Sequence, residues 1–276
     1  MPTLHALASY IAGERPRFDA VEIQPLDVDS ASFAWLVRAI KSAGFVVQTF
    51  FSFGNWYFPV KGRCFDEYLE ALPSALRNTL RRKRQKLERS GRARIEIVTG
   101  GAALEAAIEA YTKVYLASWK RPEPYPEFIP GLIRVCAEMG VLRLGLIHVD
   151  SEPAAAQLWI VHRGAALIYK LAYDERFAEL SAGTILTATL MQHVLDVDKV
   201  EVVDYLSGDD TYKKDWMSVR RERWGILAMN PRTTRGLIAI LRHVGGRTAK
   251  HLVRSLWSRS KRSKSARRKL TVQEGK

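Results

Sequence analysis

Cysteine is scarce: Cys64 and Cys136 are the only two among 276 residues. Two cysteines exclude a disulfide framework and a cysteine-only zinc site, and a reducing cytoplasm is the expected compartment. The six histidines, at positions 5, 148, 162, 193, 243 and 251, have no metal-ligand spacing, so no metal site is expected. Long apolar runs are missing as well. The longest, such as 45–51 and 236–241, fall far short of the roughly 18 residues a membrane helix needs. Residues 1–17 lack a basic-then-apolar leader pattern, so secretion is not expected. No Gly-x-Ser-x-Gly elbow and no Walker sequence occurs, which removes those two catalytic schemes. No internal repeat is found.

Acidic residues are nearly absent from two stretches. Residues 231–276 hold 14 Lys and Arg against one acid, and residues 77–94 hold nine against one. The rest of the chain has 20 basic and 27 acidic residues, so the net charge of +14 belongs to one internal helix and one tail. The basic helix also has no aromatic residue within it, which argues against base-stacking, sequence-specific reading of a nucleic acid.

What is present suits a globular protein. Apolar residues make up 47% and charged residues 26%, enough for one large domain or two small ones with a real core. Residues 18–26, 44–53 and 55–60 are rich in β-branched and aromatic side chains and are predicted strands. Phe33, Leu36, Val37 and Ile40 recur at helical spacing and predict a helix over 30–43. Residues 65–90 are predicted helical with a break at Pro73, which suits the first turn of a second helix. Leu72, Leu76, Leu80 and Leu87 form one stripe of that helix, and Gly91 stands where a terminating glycine belongs.

A strand over 93–99 and helices over 102–119 and 126–139 follow. Three strands, 141–149, 154–161 and 165–173, are joined by hairpin-length turns. Ser181 is read as the cap of a helix over 182–197, then come a strand over 200–206, a short helix over 209–216 and a last strand over 219–229. Three antiparallel strands, a crossover helix and a returning strand predict an α+β domain with a mixed, mainly antiparallel sheet flanked by helices. Four segments are expected. Residues 1–70 form an abbreviated N-terminal αβ lobe, and 71–230 form the main domain with its leading basic helix 73–90. Residues 231–257 form basic amphipathic helices, and 258–276 form a disordered basic end.

Some polar residues carry alternatives from position alone. The helix opening at Ala182 presents unsatisfied backbone N–H groups and a positive dipole end, an anion site after a strand, and Gly183 would let a phosphate approach closely. The plainer reading makes Ser181 an N-cap and Gly183 a packing residue. Asp204 sits at a strand end, where a carboxylate either accepts a proton from a ligand or accepts structural hydrogen bonds from the next turn. Lys213 either binds an acidic substrate group or pairs with Asp209 or Asp210. Trp119 is either a stacking platform or core, and Trp216 reads as core.

Four stretches carry a resemblance. They are Leu72-Pro73-Ser74-Ala75-Leu76-Arg77 running into 81–87, Ser118-Trp119-Lys120, Tyr173-Asp174-Glu175-Arg176-Phe177-Ala178 leading to Ser181-Ala182-Gly183-Thr184, and Asp204 followed by 208–216. Their order resembles GNAT-superfamily acyltransferases of the CelD-like branch, associated with cellulose and exopolysaccharide biosynthesis. More distantly it resembles Fem-type aminoacyl transferases. The resemblance covers residues 56–224. It implies a GNAT-like fold and acyl-CoA, in particular acetyl-CoA, as co-substrate. The implied acceptor is an amine, less readily a hydroxyl, on a small molecule or cell-envelope polysaccharide precursor. Arg176, Ser181, Gly183 and Thr184 would bind the cofactor's phosphates, although the usual pair of spaced glycines is reduced to Gly183 alone. Tyr212 would act as acid toward the leaving thiolate, with Asp204 as base, and Trp119, Tyr173, Asp209 and Lys213 would bind substrate. The Fem-type alternative replaces the donor by aminoacyl-tRNA. A third alternative is a non-catalytic scaffold. Residues 233–276 suit an anionic membrane surface, which would make a cytoplasmic protein peripheral to the membrane.

Overall fold

The computed structural model describes residues 2–243. In chain order the elements are α1 (Pro2–Gly13), β1 (Ala20–Asp27), α2 (Ala31–Ser42), β2 (Val46–Pro59), α3 (Phe65–Ala71) and α4 (Ser74–Ser90). Then come β3 (Ala93–Val98), α5 (Leu104–Leu116), α6 (Phe128–Glu138), β4 (Leu142–Val149), β5 (Glu152–His162) and β6 (Ala165–Tyr173). A 3-10 segment (Glu175–Leu180), α7 (Ala182–Asp196), β7 (Val202–Asp204), α8 (Lys213–Trp216) and β8 (Val219–Met229) complete the order. Residues 234–243 are helical. The rest of the expected basic helices and the expected disordered end lie outside the described residues.

The described residues divide into two compact units, 2–52 with 222–243, and Phe53–Arg221. Residues 53–70, grouped by the sequence with the N-terminal lobe, fold in the second unit. In the first unit β1 and β8 pair antiparallel, from Ala20↔Met229 to Asp27↔Arg223. Its core gathers Ala8, Ala39, Ile40, Phe45, Ile226 and Ala228. α1 was not anticipated from the sequence.

The second unit carries the strand order β2-β7-β6-β5-β4-β3. All neighbours are antiparallel except β6 and β7, which are parallel because α7 carries the chain back across the sheet. The mixed, mainly antiparallel sheet is therefore as expected. Its side chains alternate between two cores. Ile147, Ala155 and Trp159 pack with α3, α4 and α7, while Leu144, Leu146, Ala156 and Leu158 pack with α5 and α6. Both faces are buried, which is why β4 and β5 read as nearly continuous apolar runs. The predicted stripe anchors α4: Leu80 and Leu87 are buried, each worth about 2 kcal/mol of burial.

Three expectations need correction. The strands expected at 44–53 and 55–60 are the single strand β2. Gly54 lies inside this strand and marks a close approach, because a Cβ there would lie 2.5 Å from Asp209 Oδ2. The strand expected over 200–206 shortens to Val202–Asp204, since Leu206 adopts φ 56°. Ser181 precedes α7 but in the left-handed region, φ 56° and ψ 36°, and its side chain makes no capping hydrogen bond. It is the N-cap by position only.

Candidate active site

β6 and β7 stay paired for only three residues each, Ala165–Leu167 against Val202–Asp204. Beyond that β6 runs on to Tyr173 while β7 ends and the chain turns at Leu206. The two strands part, and their parting opens two cavities that share Leu171, Tyr205 and Tyr212 as a common wall.

The first cavity, about 280 Å³, runs along β6 to the start of α7 and is lined by Trp119, Tyr173, Gly183 and Thr184. All four were singled out from the sequence. Trp119 is half-exposed and its ring lies 4.7 Å from that of Tyr173, so it forms a wall instead of core. Trp216 is buried, as read.

A buried amide fixes the first turn of α7. Gln157 donates from Nε2 to the Gly183 carbonyl at 2.9 Å and to Thr187 Oγ1 at 2.8 Å, and accepts from Trp159 Nε1 at 2.9 Å. Thr187 Oγ1 in turn donates to the Gly183 carbonyl at 3.0 Å. The Gly183 carbonyl is thereby held by two side-chain donors. The N–H groups of Ala182, Gly183 and Thr184 have no acceptor within the helix. Gln157 and Thr187 were missed by sequence reasoning. The signal was there: a lone glutamine in Ala-Ala-Ala-Gln-Leu-Trp-Ile, a polar group that burial tolerates only with full hydrogen bonding.

The second cavity, about 360 Å³, is cationic. Lys120, Lys170 and Lys213 line it, with Asp210 as the acid. Lys213 is almost wholly buried and donates to the carbonyls of Ser207 at 2.6 Å and Gly208 at 3.3 Å, while pairing with Asp210 at 3.1 Å. It therefore ties down the loop after β7, and the expected pairing with Asp210 is present. Lys170 forms a short ion pair with Glu123, which also accepts the Tyr115 hydroxyl at 2.6 Å. Burial, helped by the charges of Lys170 and Lys213 and opposed by Glu123 and Asp210, draws the Lys120 ammonium below the usual lysine value. Burial and the Asp210 charge push the Tyr212 hydroxyl up to about 12, so it keeps its proton throughout the neutral range. The Tyr212 ring meets that of Tyr205 edge-on at 5.9 Å.

Four sequence candidates line neither cavity: Ser181, which precedes α7, and Asp204, Asp209 and Arg176. Asp204 is buried and its carboxylate is occupied: Oδ1 accepts from Asn55 Nδ2 at 2.6 Å and from the Leu206 N–H at 2.7 Å, and Oδ2 accepts from Arg221 at 2.5 Å. Arg221 closes the network by donating to Asn55 Oδ1 at 2.5 Å. Asp204 lines neither cavity. Asp209 accepts from Arg220 at 2.6 Å and from Trp56 Nε1 at 2.7 Å, and these bonds, Arg220 first, hold its carboxyl below the usual range. The Arg176 guanidinium lies between buried Asp174, at 2.7 Å, and Glu152, at 3.2 Å, outside both cavities. Two carboxylates take up the charge that was expected to meet phosphate.

A sheet whose parallel pair parts beside a helix N-terminus is a distinctive arrangement, and the comparisons agree with it. Residues 74–214, just over half of the chain, match the family described as Acetyltransferase (GNAT) domain. The chain belongs to this family. It is a GNAT-domain acyltransferase. Among solved structures it is similar to FemX, at 13% identity over 82% of this chain and 75% of that one, with a TM-score of 0.60. It is also similar to a conserved protein of unknown function from Bacteroides thetaiotaomicron VPI-5482, at 12% identity, 82% and 75% coverage and a TM-score of 0.54. Both likenesses concern the fold. No curated protein matches the chain. Among the described residues of this GNAT protein no helix is long and apolar enough to cross a membrane, and no group of three or more His, Cys, Asp or Glu could hold a metal ion.

Proposed function

We propose that the protein transfers an acetyl group from acetyl-CoA to the amine of a small molecule or cell-envelope polysaccharide precursor. The observation that carries this reading is the parting of β6 from β7 beside the N-terminus of α7. The donor fits the first cavity. The N–H groups of Ala182, Gly183 and Thr184 receive the pyrophosphate with the positive end of the α7 dipole behind them. The β7-facing edge of residues 168–173, without a paired strand beyond Leu167, offers backbone groups to the pantetheine arm. Trp119 and Tyr173 cover it. The acceptor fits the second cavity.

Tyr212 stands in the wall common to both cavities. Its protonated hydroxyl gives its proton to the departing thiolate as the C–S bond breaks, and the resulting phenolate takes up the proton that the newly acylated nitrogen sheds. Asp204 acts through position: it holds the turn at Leu206 that carries Tyr205 and Tyr212 into the cleft. Arg176 and Asp209 orient loops and bind no substrate. The basic segment 233–276 serves as a contact to an anionic membrane surface.

A second reading keeps the fold and changes the donor to aminoacyl-tRNA. It is favoured by α4, where Arg77, Arg81, Arg82 and Arg89 are exposed on one helix. One assay separates the two. With acetyl-CoA and a panel of amines, the wild-type protein should release free thiol. Tyr212→Phe should lower kcat about 100-fold with an unchanged KM for the donor. Full kcat in Tyr212→Phe would remove the tyrosine from the mechanism. Consumption of aminoacyl-tRNA with none of acetyl-CoA would overturn the donor assignment.

A further inference from the structure

The second cavity has more positive charge than its own acids answer. Of its three lysines, Lys213 is engaged by two carbonyls and Asp210, and Lys170 by Glu123. Lys120 differs. Its ammonium lies 5.7 Å from the centre of the Trp119 ring, and among the described residues no carboxylate stands within ion-pair distance of it. A partly buried cation without a counter-ion, beside two others, is an unfavourable arrangement that an anion entering the cavity would relieve.

The position of Lys120 is fixed in advance. Its backbone N–H donates to Ser118 Oγ at 3.4 Å, and that hydroxyl donates to the Tyr115 carbonyl at 2.7 Å. On the far side of the loop the Tyr115 hydroxyl reaches Glu123 at 2.6 Å and the Arg121 carbonyl at 3.2 Å. Residues 118–123, which follow α5, are thus tied back to Tyr115 on both sides of Lys120. An anion meeting Lys120 has little loop ordering to offset.

We propose that the acceptor carries, besides its amine, an anionic oxygen group, a carboxylate or a phosphate, which Lys120 binds in the cavity between Lys170 and Lys213. This rests on the acyltransferase reading and assigns Lys120 to acceptor selection. The cavity of about 360 Å³ has room for one amino-sugar ring with such a group. The lowered ammonium value of Lys120 agrees, since an anion beside it would favour the charged form.

The test uses the full chain and three sugars that share one ring: glucosamine, glucosamine 6-phosphate and muramic acid. Affinity is measured by calorimetry, which does not require turnover, and kcat/KM for acetyl-CoA-dependent thiol release is measured beside it. At least one of the two anionic sugars should bind ten-fold or more tightly than glucosamine, and which one does identifies the group as phosphate or carboxylate. Lys120→Gln should bring that sugar down to the affinity of glucosamine, and Lys120→Arg should keep the preference. Tight anionic binding without thiol release would sink the acetyl-CoA reading and leave the anion site standing. Equal affinities for the three sugars, or a preference that persists in Lys120→Gln, would overturn the proposal.

Discussion

Replacing Asp204 by alanine should cost the protein about 3 kcal/mol of stability, because it leaves Arg221 and the Leu206 N–H without their acceptor. The usual range for breaking a buried pair is about 3–5 kcal/mol, and the low end applies because the Arg221 side chain is 31% exposed. In a protein of this size the melting temperature should fall by roughly 6–12 °C. Arg221→Gln should lower it in the same direction, since the two residues with Asn55 form one network. Activity would be lost in both variants, but by way of the fold. A general base behaves differently: its removal abolishes turnover and leaves the melting temperature where it was. Thermal denaturation beside turnover distinguishes the two, and an unshifted melting temperature in Asp204→Ala would return Asp204 to the chemistry.

Gly183→Glu should do the reverse. A Cβ at residue 183 meets only the Tyr173 ring edge at 3.4 Å, an ordinary contact, so the fold accommodates a side chain there. Glutamate is a better helix former than glycine and is favoured in a first turn. The variant should therefore be at least as stable as the parent. Its carboxylate, however, takes the place and the charge of the phosphate expected at the α7 N-terminus. Affinity for CoA should fall by 100-fold or more by calorimetry, with Gly183→Ala staying within a few-fold of the parent. Retained affinity in Gly183→Glu would remove the donor from the start of α7.

The domain's architecture was legible in the sequence wherever local rules decide it. The leucines of α4, the turns between β4, β5 and β6 and the crossover through α7 place the sheet and its parallel pair. Trp119 and Tyr173, expected to bind substrate, and Gly183 and Thr184, expected to bind the cofactor, line one cavity together, a grouping that the order of motifs does not give. What failed depends on distant partners. Gly54 is read as a break between two strands, yet it is small to admit Asp209, and Asn55 reaches Asp204 across 149 positions. For Asp204 the structural alternative, a hydrogen bond from the next turn, is the one present, through the Leu206 N–H, while its distant partners Asn55 and Arg221 are not legible in the chain. Arg176 is implied as a phosphate ligand by its place in the motif, but the guanidinium is taken by its near neighbour Asp174 and by Glu152, which comes from the start of β5. Lys120 belongs to the Ser118-Trp119-Lys120 stretch, but no role is assigned to it from the sequence, since a missing counter-ion is a property of the assembled cavity.

The central claim is that the acyl donor lies in the parting of β6 and β7. Amide hydrogen exchange on the full chain, with and without acetyl-CoA, tests it most directly. Peptides covering 168–173, 181–187 and 205–213 should gain protection together at saturating donor. Protection confined to the basic stretches 74–90 or 231–276, with those three peptides unchanged, would show a polyanion held by surface charge and would contradict the account.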